Sequence, residues 1–147
     1  MKILVIDDEP LIHISIEKLI QSYSEEIEVY HAYNGQEMLA LCKAHDFLMA
    51  YVDIKLPGIS GLEAIRQAKD YAPDTVYYIM TGFDSFEFAK EAIKLKVEDY
   101  LMKPLDLETI KNSILTAKKI RTTHSRERKN LFRHWLESVI HHRECML

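Results

Sequence analysis

The chain has 147 residues, 48% of them hydrophobic, and a formal net charge of −4 at pH 7. This length and apolar content suffice for one domain with a full core and exclude a chain that is disordered throughout. The net charge is too small to indicate nucleic-acid or membrane binding by the whole chain. It is unevenly distributed, because the segment from Lys118 onward carries +5 and the preceding part carries −9.

Targeting signals and cysteine clusters are not apparent. The start has no basic region followed by an apolar stretch and a small-residue cleavage site, and no apolar run approaches the length of a membrane span. Cys42 and Cys145 lie far apart and show no metal-site spacing, so we expect two free thiols in a reducing compartment. We therefore expect a cytoplasmic protein that does not associate with membranes.

Short apolar runs recur along the chain and predict five strands. Most of them are apolar on both faces, which is typical of a parallel sheet covered on both sides. The predicted strands are KILVI (2–6), EVYHA (28–32), FLMAYV (47–52), VYYIM (76–80) and DYLM (99–102).

Residues typical of helix starts stand between these runs. Pro10 suits a first helical turn, where its missing N–H costs nothing. Three further starts place a capping side chain three residues before a glutamate, and a fifth follows the last strand. These starts are Asn34 with Glu37, Ser60 with Glu63, Asp84 with Glu87, and Asp106.

The strict alternation of five strands and five helices predicts the fold class. We expect an α/β fold with a doubly wound, five-stranded parallel sheet and right-handed crossovers. In such folds the functional groups lie at the carboxyl ends of the strands.

Three acidic residues follow two of these strands. The first strand, in the stretch ILVIDDEP, runs into Asp7 and Asp8, and the third is followed by Asp53. Thr81 follows the fourth strand and Lys103 the fifth, so all five side chains should meet at one edge. Neighbouring carboxylates repel one another unless a cation compensates them, and oxygen ligands of this number suit Mg²⁺. We therefore expect a magnesium site there.

Four fragments, in this order and at these strand ends, resemble the receiver domain of two-component response regulators. The resemblance covers about residues 1–120 and implies the flavodoxin-like receiver fold. The fragments are VIDDEP, YVDIKLPGISGLEAI, IMTGFD and DYLMKPLD.

The resemblance implies a role for each strand-end residue. Asp53 would accept a phosphoryl group, Lys103 would pair with one phosphoryl oxygen and Thr81 would hydrogen-bond another. Tyr100 matches an aromatic switch that turns inward when Thr81 moves onto the phosphoryl group. The bond between Lys103 and Pro104 is cis in the family.

The resemblance also implies the ligands of the metal. Asp7, Asp8, Asp53 and the backbone carbonyl of Lys55 would hold Mg²⁺, with Asp8 coordinating most directly and Asp7 acting largely through water. The side chains of Lys55 and Phe83 occupy positions that vary in the family, where they should obstruct water that would hydrolyse the phosphoryl group.

The expected function is phosphorylation-dependent signalling. A sensor histidine kinase would be the phosphoryl donor, and the fourth helix, fifth strand and fifth helix would form the surface that switches, with a homodimer on activation. Such a domain regulates rather than acting as an enzyme, although it carries its own phosphorylation and dephosphorylation chemistry. The alternative is an aspartate-nucleophile phosphohydrolase of the haloacid dehalogenase type, which needs a general-acid Asp where this chain has Lys55.

Residues 121–147 form a separate tail in this interpretation. The stretch TGFDSFEFAKEAIKLKVEDYLMKPLD most resembles receivers joined to AraC-type helix-turn-helix output domains, which regulate transcription. DNA binding would then need an output domain that this chain lacks. After a polar break at 121–127, six apolar residues recur on one face of a basic, amphipathic helix. That face would pack on its own domain or pair with a second copy or another domain, and direct DNA binding by the basic helix is the third alternative. The six residues are Leu131, Phe132, Trp135, Leu136, Val139 and Ile140.

Overall fold

Five strands and five helices alternate along the described part of the chain. The computed structural model describes residues 1–82 and 86–146 and, within these, all side chains except those of residues 86–89, 145 and 146. The strands are β1 (Lys2–Ile6), β2 (Glu28–Ala32), β3 (Met49–Asp53), β4 (Val76–Thr81) and β5 (Asp99–Met102). The helices are α1 (Pro10–Tyr23), α2 (Gly35–Ala44), α3 (Gly61–Ala68), α4 (Phe86–Lys94) and α5 (Leu107–Met146).

The strands form one parallel sheet in the order β2-β1-β3-β4-β5. The chain crosses from one side of β1 to the other after β2, so β1 and β3 are neighbours at the centre. This arrangement confirms the predicted doubly wound α/β fold. Every predicted strand agrees with the observed one within two residues.

The core consists of two apolar layers, one on each face of the sheet. Alternate residues of a strand point to opposite faces, so Leu4 and Ile6 pack on one side and Ile3 and Val5 on the other. The first layer is completed by α2, α3 and α4, and the second by α1 and α5. Both faces are therefore covered, as the continuous apolar runs predicted.

Three predicted helix caps are present. The side chains of Asn34 and Ser60 accept hydrogen bonds from the backbone N–H three residues on, at 2.8 and 3.2 Å. Asp106 accepts from the N–H of Thr109 at 2.8 Å. Pro10 occupies the first turn of α1. The predicted cap at Asp84 lies outside the described residues.

The polar break predicted at 121–127 does not interrupt the last helix. Instead, α5 continues without a break for 40 residues, from Leu107 to Met146. The polar segment contains neither Gly nor Pro, and polar side chains are compatible with a helix that projects into water. The tail is therefore a direct extension of the part of α5 that packs on the sheet.

Nothing in the described part of the chain combines the length and the apolar character that a membrane-crossing helix requires.

Candidate functional site

Three acidic side chains and one ammonium group meet at the carboxyl edge of the sheet. Asp7 and Asp8 follow β1, Asp53 ends β3, and Lys103 follows β5. Asp7 is fully buried, Asp53 is 6% exposed and Asp8 is exposed. Solvent therefore reaches the cluster at Asp8, whereas Asp7 and Asp53 lie in the protein interior.

Lys103 links the two buried carboxylates. Its Nζ atom lies 2.6 Å from Oδ2 of Asp7 and 3.4 Å from Oδ2 of Asp53. The remaining oxygens bind backbone amides: the N–H of Glu9 donates to Oδ1 of Asp7 at 2.9 Å, and that of Lys55 to Oδ1 of Asp53 at 3.3 Å. The peptide bond between Lys103 and Pro104 is cis, as the resemblance implied.

The charges in this cluster act on the pKa of Asp53 in opposite directions. Burial raises its pKa above the usual value, and the nearby charge of Asp7 raises it further. Lys103 lowers it but does not cancel the other two effects. Burial alone would lower the pKa of Lys103, but its hydrogen bond to Asp7 and the two negative charges raise it. Lys103 therefore stays protonated.

The three carboxylates have the chemistry of a divalent-cation site. One oxygen from each of Asp7, Asp8 and Asp53 lies within 4.8 Å of the other two. Lys103 supplies a single positive charge for these three carboxylates, so the cluster has an excess of negative charge. Carboxylate oxygens are hard ligands of the kind that Mg²⁺ prefers, so the residues fit that ion.

Thr81 and Tyr100 lie on the adjacent strands β4 and β5, two residues apart in register. Thr81 is 1% exposed at the carboxyl end of β4, and its carbonyl accepts a 2.8 Å hydrogen bond from the N–H of Lys103. Tyr100 pairs with Ile79 in the sheet and is partly buried against the layer that contains α4. Phe83, expected to limit access of water, lies outside the described residues.

The first residue of α3 lies directly against the end of β3. A Cβ atom on Gly61 would lie 2.1 Å from the backbone oxygen of Asp53, far inside any allowed contact. The N–H of Gly61 also donates to the carbonyl of Ile54 at 3.2 Å. Only glycine permits this approach, which holds the backbone of Asp53 in place. Gly61 was not among the residues predicted for this site.

The sequence also did not predict a chain of three polar side chains in contact behind Asp7. His13 Nε2 donates to the backbone carbonyl of Asp7 at 2.7 Å, and its Nδ1 lies 2.7 Å from Nδ1 of His31. His31 Nε2 lies 3.0 Å from a carboxylate oxygen of Glu17. Burial lowers the pKa of His13, so in its neutral form Nδ1 accepts from His31. His31 thus links the ring of His13 to the carboxylate of Glu17.

Comparisons with known proteins give a consistent result for this fold. A family model described as the response regulator receiver domain matches residues 3–115. An uncharacterized transcriptional regulatory protein, YesN, from Bacillus subtilis is 33% identical over 114 residues, which are 77% of this chain and 31% of that protein. A cyclic di-GMP phosphodiesterase from Thermotoga maritima is 27% identical over 124 residues, 84% of this chain and 33% of that protein.

A solved structure is similar over most of the chain. It is a response regulator protein from Burkholderia pseudomallei with a phosphorylated aspartic acid, calcium ion and citrate. The TM-score is 0.71 at 29% identity, covering 86% of this chain and 74% of that one. The chain spans only about a third of the length of the two curated relatives, whose names describe different outputs. Similarity therefore concerns the shared domain rather than either whole protein.

Proposed function

The chain belongs to the family of response regulator receiver domains of two-component systems, and we propose that it receives a phosphoryl group on Asp53 from a sensor histidine kinase. The observation that carries this proposal is the position of Lys103, whose ammonium lies between the buried carboxylates of Asp7 and Asp53. A protonated lysine beside a carboxylate at the open edge of the sheet is the arrangement that phosphoryl transfer requires.

Asp53 acts as the nucleophile. One of its carboxylate oxygens attacks phosphorus, the bond between phosphorus and the donor's histidine nitrogen breaks, and the nitrogen keeps the electron pair. No proton has to leave Asp53, because the reactive form is the carboxylate. The hydrogen bond from the Lys55 amide holds the other oxygen, Oδ1, and so orients the group.

Lys103 and Thr81 stabilise the transferred group. Catalysis of this reaction depends mainly on positioning and on neutralising the equatorial oxygens. The Nζ atom of Lys103, 3.4 Å from Oδ2 of Asp53, pairs with one phosphoryl oxygen. The hydroxyl of Thr81, from the neighbouring strand, donates to another. Asp7 holds Lys103 in position through the shorter, 2.6 Å contact.

Asp8, Asp7, Asp53 and the backbone carbonyl of Lys55 are the proposed Mg²⁺ ligands. When bound, the ion supplies positive charge that offsets both the carboxylates and the incoming phosphoryl oxygens. Support comes from the three carboxylates, whose oxygens lie within 4.8 Å of one another. Asp8 is the exposed member and offers the ion a path from solvent.

Phosphorylation is read out through Thr81 and Tyr100. Movement of Thr81 toward the phosphoryl group leaves space beside β4, and Tyr100 on the adjacent strand turns into it. The result is a population shift of the surface formed by α4, β5 and α5. We propose that this surface controls an output domain of a transcriptional regulator, the class to which the relative YesN belongs by name.

The phosphohydrolase alternative is not favoured. Enzymes of that type need a carboxylic acid two residues after the nucleophile to protonate the leaving group. Here the position holds Lys55, which has no carboxylic acid to donate that proton.

Binding of a phosphoryl mimic tests the proposed function. Beryllofluoride, observed by fluorine NMR, should bind the protein only when Mg²⁺ is present, and an Asp53→Asn variant should not bind it. An exposed aspartate, Asp70, provides the matched control, and Asp70→Asn should bind as the wild type does. Equal binding by Asp53→Asn would exclude Asp53 as the acceptor.

A further inference from the structure

The C-terminal half of α5 continues the helix face with which its first half packs on the sheet. Ile114 is fully buried against the sheet, and Arg121, Arg128 and Trp135 follow at intervals of seven residues. Positions seven apart on a helix differ by only about 20° in direction. These four side chains therefore lie along one side of the helix.

Contacts verify this direction as far as Arg128. The guanidinium of Arg121 donates to the backbone carbonyl of Phe47 at 2.9 Å and pairs with Asp46 at 3.1 Å, just before β3. Arg128 pairs with Asp74 at 2.8 Å, just before β4. The helix thus passes beneath the amino edge of the sheet with this side turned toward the domain.

Beyond Arg128 the same side becomes apolar and exposed. Six large side chains cluster around the line through Trp135, and their exposed fractions range from 38% to 69%. These six side chains lie on the three helical turns that extend past the domain. The prediction that this face packs on its own domain is therefore wrong. Leu131, Phe132, Trp135, Leu136, Val139 and Ile140 are called the tail face below.

The tail face is large enough to support association. Its exposed area is on the order of 600 Å², the upper end of what monomeric proteins leave uncovered. If two copies covered each other, the total buried area would be about 1,200 Å², which reaches the range of specific interfaces. Burial of aromatic side chains such as Trp135 and Phe132 contributes strongly to such interfaces.

A parallel pair of tails is sterically blocked. In a parallel pair the second helix would run alongside the first on the side of Arg121 and Arg128. That side is already occupied by the loops that carry Asp46 and Asp74 and by the sheet above them.

An antiparallel pair avoids this steric conflict. We propose that the tail face binds the tail face of a second copy of this chain, with the two helices antiparallel and centred near Trp135 and Leu136. In this alignment Arg128 of one helix lies level with Arg143 of the other. The symmetry is two-fold, so one patch serves both copies.

Charge complementarity favours the same alignment. The last turns of α5 carry His141, His142 and Arg143. In the antiparallel pair they approach the acidic loops at the amino edge of the other copy, where the side chain of Asp46 is 79% exposed and that of Asp74 is 33% exposed. Because this edge is opposite to the one that carries Asp53, pairing should not require phosphorylation.

Sedimentation equilibrium of the 147-residue chain tests the association. We expect a dimer at tens of micromolar, and Leu131→Ser should weaken it at least tenfold. Leu11→Ser is the matched control, since Leu11 is 76% exposed on α1 and Leu131 is 69% exposed on the tail. Far-UV circular dichroism of both variants checks that they stay folded. A monomer at all concentrations would overturn the proposal, as would equal weakening by both substitutions.

A distance between spin labels tests the orientation. The label is placed at Thr123→Cys in a Cys145→Ser background. Cys42 is 4% exposed, and burial raises the pKa of its thiol to about 11, so it stays unlabelled. An antiparallel pair predicts a separation beyond about 35 Å, from 1.5 Å of rise per residue. A separation under about 25 Å would indicate a parallel pair and contradict the proposal.

Two other occupants of the tail face are distinguishable. A basic helix with an exposed tryptophan also has the composition of a membrane-surface helix. Cosedimentation with vesicles that contain phosphatidylserine, by a protein that is monomeric in solution, would assign the face to a lipid surface and overturn the pairing. A monomer that binds no vesicles would indicate that the tail face binds another domain, and this result would also overturn the proposed pairing.

Discussion

The Nζ atom of Lys103 lies 2.6 Å from Oδ2 of Asp7, a carboxylate whose side chain has no solvent exposure. The same atom is 3.4 Å from Asp53, so Asp7 holds the lysine more tightly than the proposed phosphoryl acceptor does. In this arrangement Lys103 stabilises the fold through Asp7 and remains available to a group on Asp53.

Removing the ammonium should therefore destabilise the protein. Lys103→Met leaves two buried carboxylates with less compensation, and we expect the free energy of unfolding to fall by about 2 kcal/mol, less than for a fully buried pair because the lysine is partly exposed. Chemical denaturation measures this. The double variant Lys103→Met with Asp7→Asn should lose less than the sum of the two single variants. Additive losses would show that the two side chains do not interact.

Asp53 should lower stability at neutral pH in the absence of metal. Its pKa is raised in the folded protein, so the folded state binds the proton more tightly than the unfolded state does. The resulting stabilisation is complete below the unfolded value of 3.8 and is lost as the pH rises through the higher, folded pKa. Asp53→Asn should therefore melt above the wild type at pH 7, and the difference should shrink toward pH 4.

Melting curves with and without Mg²⁺ extend the comparison of the wild type with Asp53→Asn. A cation that binds the native state stabilises it, so Mg²⁺ should raise the melting temperature of the wild type more than that of Asp53→Asn. The exposed Asp70→Asn variant should respond as the wild type does at every pH. If Asp53→Asn melts below the wild type at pH 7 without metal, the charge balance described for the cluster is wrong.

Gly61 should be essential to the position of Asp53. A Cβ atom there would lie 2.1 Å from the Asp53 backbone oxygen, so Gly61→Ala must move the end of β3 or the start of α3. We expect a loss of about 2–3 kcal/mol in unfolding free energy and slower phosphorylation. Gly82→Ala is the control, because a Cβ on Gly82 would meet no atom of the described residues within 4 Å. Equal effects of the two substitutions would contradict this account.

Lys96 adopts a backbone conformation that favours glycine. Its φ is 57°, in the left-handed region, two residues after the end of α4. Lys96→Gly should raise the unfolding free energy by about 0.5–1 kcal/mol, because relief of the left-handed strain exceeds the added entropy of the unfolded chain. Glu91→Gly, an exposed position inside α4, should lower it by about 1 kcal/mol. Thermal unfolding of both variants checks the opposite signs.

The fold was predictable because its signals are local. The apolar run 2–6 and the caps at Asn34 and Ser60 mark elements within a few residues of their true ends. The strand-end positions of Asp7 and Asp53 then follow from the topology of a parallel sheet. No knowledge of distant contacts was needed to expect them at one edge.

The features that the sequence did not predict depend on long-range contacts or on weak signals. His13 and His31 are 18 residues apart, and only the pairing of β1 with β2 brings His31 beside α1. The polarity of 121–127 indicated a break, but polarity marks exposure rather than a helix end. The direction of the tail depends on Arg121 and Arg128, whose partners are more than 50 residues away.

Mapping of the phosphorylated residue tests the central claim most directly. The protein is incubated with acetyl phosphate and Mg²⁺, the acyl phosphate is trapped by borohydride reduction, and peptides are sequenced by mass spectrometry. We predict modification at Asp53 alone, strongly reduced when EDTA removes the metal and absent from Asp53→Asn. Modification that maps to another residue, or that persists unchanged in Asp53→Asn, would contradict the account.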